Sequence, residues 1–317
     1  MKRESFTQYV KDEICLNEYT YDSLKPLLSG FIRTNGVLDF DNEEISLQTE
    51  NSKIAKLIYQ GLVKIYDASP KFFNSRKMKL DKCVVYKIKT NTNFYKILED
   101  LEIYKDGVYL TPKATIKGEE GNRVRNFLTG VFLASGSVNS PSGGNYHLQM
   151  VVEKENDAKF IVKLLNKFRN DRNVDAKIIQ RRKKYMVYVK KADQISNFLA
   201  LVGASNSMLE FENIRIEKDF INSDNRYQIC FNANYKKTLE KANAQLHDIQ
   251  VIEEHNELYT LKEKERLVAS IRKENVDVPL SQIVEILKND YQIKLSKSSV
   301  NRIFNDIHDL ALRLENK

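Results

Sequence analysis

The chain has 317 residues, 42% hydrophobic and 30% charged, a globular balance that excludes wholesale disorder and leaves room for two or three domains. Fifty-one Lys and Arg against 43 Asp and Glu give a formal net charge of +8, which permits a polyanionic partner without requiring one. No apolar run is long enough to cross a bilayer, and Cys15, Cys83 and Cys230 are too scattered for a disulfide framework or a paired-cysteine zinc site, so reduced thiols in a cytoplasmic chain are expected.

At the start, Met1-Lys2-Arg3-Glu4-Ser5 leads into no apolar core, so no secretory leader is expected. The first element with a distinct pattern is Leu27-Leu28-Ser29-Gly30-Phe31-Ile32-Arg33-Thr34-Asn35-Gly36-Val37, a short apolar helix with one glycine inside it and another closing it. Alternating sequence follows to Thr49, then a helix over Asn51–Tyr66 with Ile54, Leu57, Ile58, Leu62 and Ile65 on one face, a strand over Cys83–Thr90 and a helix over Asn93–Leu101.

The pattern then recurs. Phe127-Leu128-Thr129-Gly130-Val131-Phe132-Leu133-Ala134-Ser135-Gly136-Ser137 repeats the first motif 100 positions on. A Ser/Pro/Gly loop at Asn139–Asn145, a strand over His147–Val152 and a helix over Asn156–Arg169 follow, the helix with Ile161, Leu164, Leu165 and Phe168 inward. Alternating Val174–Ile179, the basic turn Arg181-Lys184, a strand over Tyr185–Lys190 and a helix over Asp193–Leu201 complete the half. A mid-helix glycine costs about 1 kcal/mol relative to alanine, so two at matching places imply that the motif helices touch there. The closing glycines are expected to form left-handed helix stops. The fold class that follows is α+β, with two similar halves about a pseudo-two-fold axis.

A twice-repeated LxGxxxxxG helix joined to antiparallel strands resembles the two-copy LAGLIDADG homing-endonuclease fold, in which the motif helices pair on the axis and two sheets straddle DNA. That resemblance implies an acidic residue just before each closing glycine, holding a divalent cation. Here those positions are Asn35 and Ser135. Asp39 and Asp41 follow the first motif, but the second has no acidic counterpart. The expectation is a retained fold without cleavage: no catalytic residues, no metal and no cofactor.

From Tyr235 the pattern turns helical, with Tyr235, Leu239, Ala242, Leu246 and Ile249 as one stripe, read as a connector or as a helix packed on the second repeat. Glu253–Glu257 marks a hinge. Thr260-Leu261-Lys262-Glu263 reads as a capping box opening a helix to about Lys273. Ser281 is expected to cap Gln282–Lys288, and a last helix runs from near Ser296 to about Leu314 with Val300, Ile303, Phe304, Ile307, Ala311 and Leu314 inward. Its outer face carries Ser296, Lys297, Ser298, Ser299, Asn301, Arg302 and Asn305. Asn and Arg suit base edges, Ser and Lys suit phosphates, and the arrangement over Leu280 to Arg313 looks like a helix-turn-helix, with Ser281 included among its DNA-binding residues. A helical protein-interaction cap is the alternative.

Taken together, the chain resembles the WhiA family of bacterial DNA-binding regulators, which join a degenerate LAGLIDADG-like domain to a C-terminal helix-turn-helix. The resemblance is carried by Ser5-Phe6 with Val10-Lys11-Asp12-Glu13, by Phe132–Val138, and by Arg181-Arg182 with Tyr185 and Tyr188-Val189-Lys190. It continues in Arg215-Ile216, Lys218-Asp219, Asn225-Arg226, Ala233-Asn234 with Lys237-Thr238, and Leu295–Ser298 with Val300-Asn301. Ile229, Ser299 and Arg302 depart from the family's usual Asn, Gly and His. The resemblance implies transcription control linked to cell division and chromosome segregation, on the nucleoid.

The expected domains are residues 1–225, with halves at about 1–115 and 120–225, a connecting strand and helix at 226–256, and a helix-turn-helix at 257–317. Arg181, Arg182, Lys183 and Lys184 are candidate phosphate contacts in a hairpin turn, or a solvated turn; Arg76, Lys77 and Lys79 stand in the similar place in the first half. His147 reads as structural, and Arg33 as an outward cation near the end of the first motif helix. The function expected is non-catalytic binding of double-stranded DNA. The alternatives are a metal-dependent endonuclease, or an adaptor whose repeat domain binds RNA polymerase or a cell-division protein. Oligomeric state is open.

Overall fold

A computed structural model describes residues 5–76, 84–110, 121–167 and 174–316, and the chain divides into two compact units, residues 1–218 and 219–317. In the first unit the leading elements are α1 (Phe6–Ile14) and α2 (Tyr21–Asn35), followed by β1 (Val37–Asp39), β2 (Glu44–Thr49) and α3 (Ser52–Tyr66). Then come β3 (Lys71–Arg76), β4 (Val84–Thr90), α4 (Phe94–Asp100) and a small hairpin, β5 (Tyr104–Lys105) with β6 (Val108–Tyr109). The second half holds α5 (Gly121–Ser135), β7 (Gly136–Val138), β8 (Leu148–Val152), α6 (Glu155–Lys167), β9 (Lys177–Arg181), β10 (Lys184–Val189) and α7 (Ala192–Leu201).

The two four-stranded sheets have the same order, β1-β2-β4-β3 and β7-β8-β10-β9, with every pairing antiparallel. The repeat read from the glycines is therefore a repeat of topology. Asn51 accepts from the amides of Lys53 and Ile54 to start α3, whose buried face is Ile54, Ala55, Ile58, Gly61 and Leu62. One core joins both halves, with Leu27, Leu28, Phe31 and Ile32 of α2 against Phe127, Leu128, Val131 and Phe132 of α5.

The paired helices meet backbone to backbone. A methyl on Gly30 would collide with the Phe127 carbonyl and lie 3.1 Å from the Val131 nitrogen; one on Gly130 would collide with the Leu27 carbonyl and lie 3.0 Å from the Phe31 nitrogen. The closing glycines behave differently from expectation. Gly36 has φ −74° and ψ 129°, ordinary extended backbone, and Gly136 is not among the positive-φ glycines. What excludes a side chain there is crowding: a Cβ on Gly36 would lie 2.5 Å from the Ile32 carbonyl oxygen, and one on Gly136 would strike the Phe132 ring. The chain leaves each motif helix straight into a strand rather than through a left-handed stop.

The helix expected from Tyr235 begins thirty residues earlier, as α8 (Ser205–Glu254). The Glu13 carboxylate caps its start, accepting from the amides of Asn206 (2.7 Å) and Ser207 (2.8 Å) and from the Ser207 hydroxyl. No strand occurs at residue 226 or beyond within it. Upstream of Tyr235 the apolar residues do not keep to one stripe, since Ile221 and Ile229 fall off the face that Phe220, Tyr227 and Phe231 share, and residues 219–237 are all exposed.

In the second unit a 3-10 turn at Leu258–Thr260 precedes α9 (Glu263–Glu274), α10 (Leu280–Asn289) and α11 (Lys297–Glu315). Thr260 is therefore a turn residue, its hydroxyl donating to the Glu257 carbonyl; Lys262 occupies the cap, and Glu265 accepts from its amide at 3.0 Å. Pro279, not Ser281, stands at the α10 cap, since its fixed φ suits helix entry. The core is Val268, Ile271, Ile283, Leu287, Val300, Phe304, Ile307 and Ala311, with Ile249 and Ile252 from α8.

Candidate nucleic-acid interface

The α11 N-terminus is built by Ser296, whose side chain accepts from the Ser299 amide at 3.1 Å and whose hydroxyl lies 2.9 Å from the Ser299 hydroxyl. The apolar period buries Val300, Phe304 and Ile307, and so turns Lys297, Ser298, Asn301, Arg302 and Asn305 to solvent; Ser296 is also exposed and Ser299 is half-buried. Ser281 is exposed in the first turn of α10, separated from α11 by the connection at 290–296. Helix capping, an N-terminal dipole, two cations and three amide or hydroxyl groups share one end of α11. That end can hold phosphate and read base edges.

The helix behind it is fixed by a residue the sequence reading passed over. Arg272, in the last turn of α9, is 1% exposed. Its guanidinium donates to Gln245 Oε1 (3.0 Å) and to the carbonyls of Asn275 (3.1 Å) and Val278 (2.7 Å), and stacks 5.6 Å from the Phe304 ring centroid of α11. Burial holds its pKa below the usual guanidinium range, yet with carbonyl partners rather than a carboxylate it remains a buried cation. A basic residue in the last turn of a helix reads in sequence as a solvated partner of the helix dipole, and nothing local to Arg272 signals its burial.

In the first unit, Arg181, Arg182, Lys183 and Lys184 form the exposed β9–β10 hairpin, Arg181 facing Lys184 in register. Arg182 takes φ +57°, a left-handed conformation that favours glycine. Lys184 lies 3.3 Å from Glu153. A groove beside the hairpin is lined by Gln149, Val151, Arg181 and Tyr185. Arg76 ends β3; Lys77 and Lys79 lie outside the described residues. His147 precedes β8, pairing with Gln149 at 3.1 Å and stacking on Tyr188.

The ends of the motif helices are where a homing nuclease would place its metal. Asn35 Oδ1 accepts from the Gln48 amide of β2 at 3.0 Å, and Ser135 Oγ accepts from the Val151 amide of β8 at 3.2 Å. Each position that would carry an acid thus binds the middle of its own sheet. Lys11 lines the same cleft as Asn35 and donates to the Leu133 carbonyl at 3.1 Å; burial lowers its pKa to about 8. Two neutral side chains engaged with backbone amides, and an ammonium beside one of them, do not fit a divalent cation. Among the described residues no three His, Cys, Asp or Glu side chains gather as a metal site. Asp39 caps its own turn, accepting from the amides of Asp41 and Asn42 at 3.1 Å.

Arg33 does not face outward. It donates to the carbonyls of Leu110 and Glu102, and burial, offset by Asp157 and Glu102, lowers its pKa. The loop after α4 turns its carbonyls to α2, and a fork-shaped donor satisfies them.

Three family models match the sequence: the WhiA N-terminal LAGLIDADG-like domain over residues 23–104, the WhiA LAGLIDADG-like domain over 124–221 and the WhiA C-terminal HTH domain over 225–311. The probable cell division protein WhiA of Lactobacillus acidophilus is 36% identical, the alignment covering 97% of this chain and 98% of that protein. Its counterpart in Staphylococcus carnosus is 34% identical, covering 97% and 96%. A crystal structure of full-length WhiA from Thermatoga maritima shares the fold, at TM-score 0.59 and 24% identity, covering 98% of this chain and 99% of that one. Among the described residues no helix is long and apolar enough to cross a membrane.

Proposed function

Because this chain belongs to the WhiA family, we propose that it is a non-catalytic protein that binds double-stranded DNA through α11 and acts as a transcription regulator in cell division and chromosome segregation, on the nucleoid. The observation that carries this reading is the outward face of α11: Lys297, Ser298, Asn301, Arg302 and Asn305 exposed together at a capped helix N-terminus. The basic Arg181–Lys184 hairpin supports a second, sequence-independent contact to the backbone from the repeat domain. The domain limits proposed are those read from sequence, near residues 225 and 257. A cell-division protein or RNA polymerase is the proposed protein partner of the repeat domain; the relatives' name, probable cell division protein WhiA, supports the former.

Fluorescence anisotropy with duplex DNA across a salt series tests the proposal. Lys297→Glu with Arg302→Glu is expected to weaken binding at least ~100-fold and to flatten the dependence of log affinity on log salt by roughly two phosphate contacts. Binding that ignores salt, or that survives the double change, refutes it. Magnesium-dependent cleavage of plasmid by the pure protein refutes the non-catalytic half.

A further inference from the structure

The exposed part of α8 carries a surface that the DNA reading leaves unused. Phe220, Tyr227, Phe231 and Tyr235 are 74%, 66%, 54% and 46% exposed. Their spacing of seven, four and four places them on one helix face. Tyr227 stacks on Phe231 with centroids 6.4 Å apart, and Phe231 on Tyr235 at 6.3 Å. Seven and fourteen residues beyond Tyr235, the same face carries Ala242 and Ile249, each 1% exposed, and Ile252 stands twenty-one residues beyond Phe231 and is fully buried. One face of one helix is thus core at its C-terminal end and bare aromatic surface upstream. Ile221 and Ile229 are exposed off this face.

We infer that this aromatic face of α8 is covered in solution by the same face of a second copy of the chain, two α8 helices pairing antiparallel about a point near Ile229. Three features favour a copy over other occupants. The four rings leave about 500 Å² in water, taking roughly 200 Å² for each whole side chain. Two such faces give about 1,000 Å², the size at which a specific interface begins. Charge is the second feature: between residues 219 and 237, Arg226, Lys236 and Lys237 against Asp219 and Asp224 leave only +1, which suits a like surface and gives a polyanion little to hold. Self-complementarity is the third. Antiparallel pairing about Ile229 sets Tyr227 of each copy against Phe231 of the other, and Phe220 against Thr238, with opposed helix dipoles.

The exposed Cys230 sits beside that centre and supplies a built-in probe. The test uses the full chain carrying Cys83→Ser. Sedimentation equilibrium over a concentration series and cross-linking by a short bis-maleimide are run on this background, on a further Cys230→Ser form, and on Tyr227→Glu with Phe231→Glu, two exposed sites whose variant is checked for folding by circular dichroism. A dimer is expected, cross-linked only when Cys230 is present, and weakened at least ~100-fold by the paired glutamates. A monomer at every concentration, or a dimer that keeps its affinity in the glutamate variant, overturns the inference. Should the variant instead lose DNA affinity while the parent sediments as a monomer, the face belongs to nucleic acid and the inference is equally overturned. DNA binding by α11 is measured separately, so the two readings fail independently.

Discussion

Replacing Gly130 with alanine pits two effects of opposite sign against each other. Helix propensity alone favours alanine by about 1 kcal/mol. Packing opposes it: the new methyl lies 2.9 Å from the Leu27 carbonyl carbon and 3.0 Å from the Phe31 nitrogen, and both are backbone atoms that no rotamer can move. Ordinary contact is at roughly 3.5–4.0 Å and the Leu27 carbonyl oxygen is closer still, so α2 and α5 must part by about 1 Å or more, and a gap of about 1 Å already forfeits up to half of each dispersion contact they share. The buried seam includes Leu27, Leu28, Phe31, Phe127, Leu128 and Val131, so overpacking is placed just above its usual range of about 1–3 kcal/mol, at about 3–4 kcal/mol. The net expectation is a loss of about 2–3 kcal/mol, or about 5–10 °C in Tm for a domain of this size. Gly61 is the control. It lies inside α3, but a methyl there meets only the Leu28 side chain at 3.4 Å and Leu24 at 3.6 Å, so Gly61→Ala is expected to be neutral or stabilising by up to about 1 kcal/mol. Urea and thermal unfolding of both variants give the comparison. If Gly130→Ala stabilises as Gly61→Ala does, the motif helices are not in backbone contact and the pairing argued above is wrong.

Other expectations rest on buried charge. Arg272→Met fills similar volume but orphans three acceptors, so the second unit should lose about 3 kcal/mol by denaturant unfolding; an unchanged midpoint would show that the guanidinium holds nothing. Lys11 titrates near 8 when folded and at 10.5 when free, so the unfolded chain binds more protons between those values and stability should climb with pH across that window. The full rise is roughly 3 kcal/mol, present only above the window, and a pH series on Lys11→Met should lose that slope. Glu13→Gln keeps the shape of the α8 cap but removes its charge, and should cost about 1 kcal/mol in a thermal melt, more than Glu18→Gln on the exposed loop nearby.

The repeat was legible because its evidence is local. Two glycines six apart, recurring 100 residues later, are a pattern that only close helix packing explains, and Asn51, Ser296 and the alternating strands announce themselves within a few residues. What stayed hidden depends on distant partners. Arg33 turns inward because the Leu110 carbonyl, 77 residues away, faces it, and Lys11 is half-buried because it donates a hydrogen bond to the Leu133 carbonyl, 122 residues away. Arg272 reads as a surface cation until α8, the loop after α9, and Phe304 enclose it. The early part of α8 escaped for another reason: Ile221 and Ile229 lie off the face that Phe220, Tyr227 and Phe231 share, which blurs the helical period, and residues 219–237 are all exposed.

Exchange of a carboxylate for Asn35 or Ser135 would leave an unsatisfied strand amide unless the new side chain also accepts, and both do, at Gln48 and Val151. Asn35 and Ser135 therefore supply the sheet-to-helix bond without the charge that a divalent ion needs. Lys11 then becomes tolerable in that cleft, since an ammonium and a bound divalent cation would repel at the same helix end. Restoring acids at both positions tests this order of dependence. Asn35→Asp with Ser135→Asp should gain no thermal stabilisation from manganese while Lys11 is present, and should gain it once Lys11→Met is added. Manganese stabilising the two-acid form with Lys11 intact would show that the ammonium is no barrier.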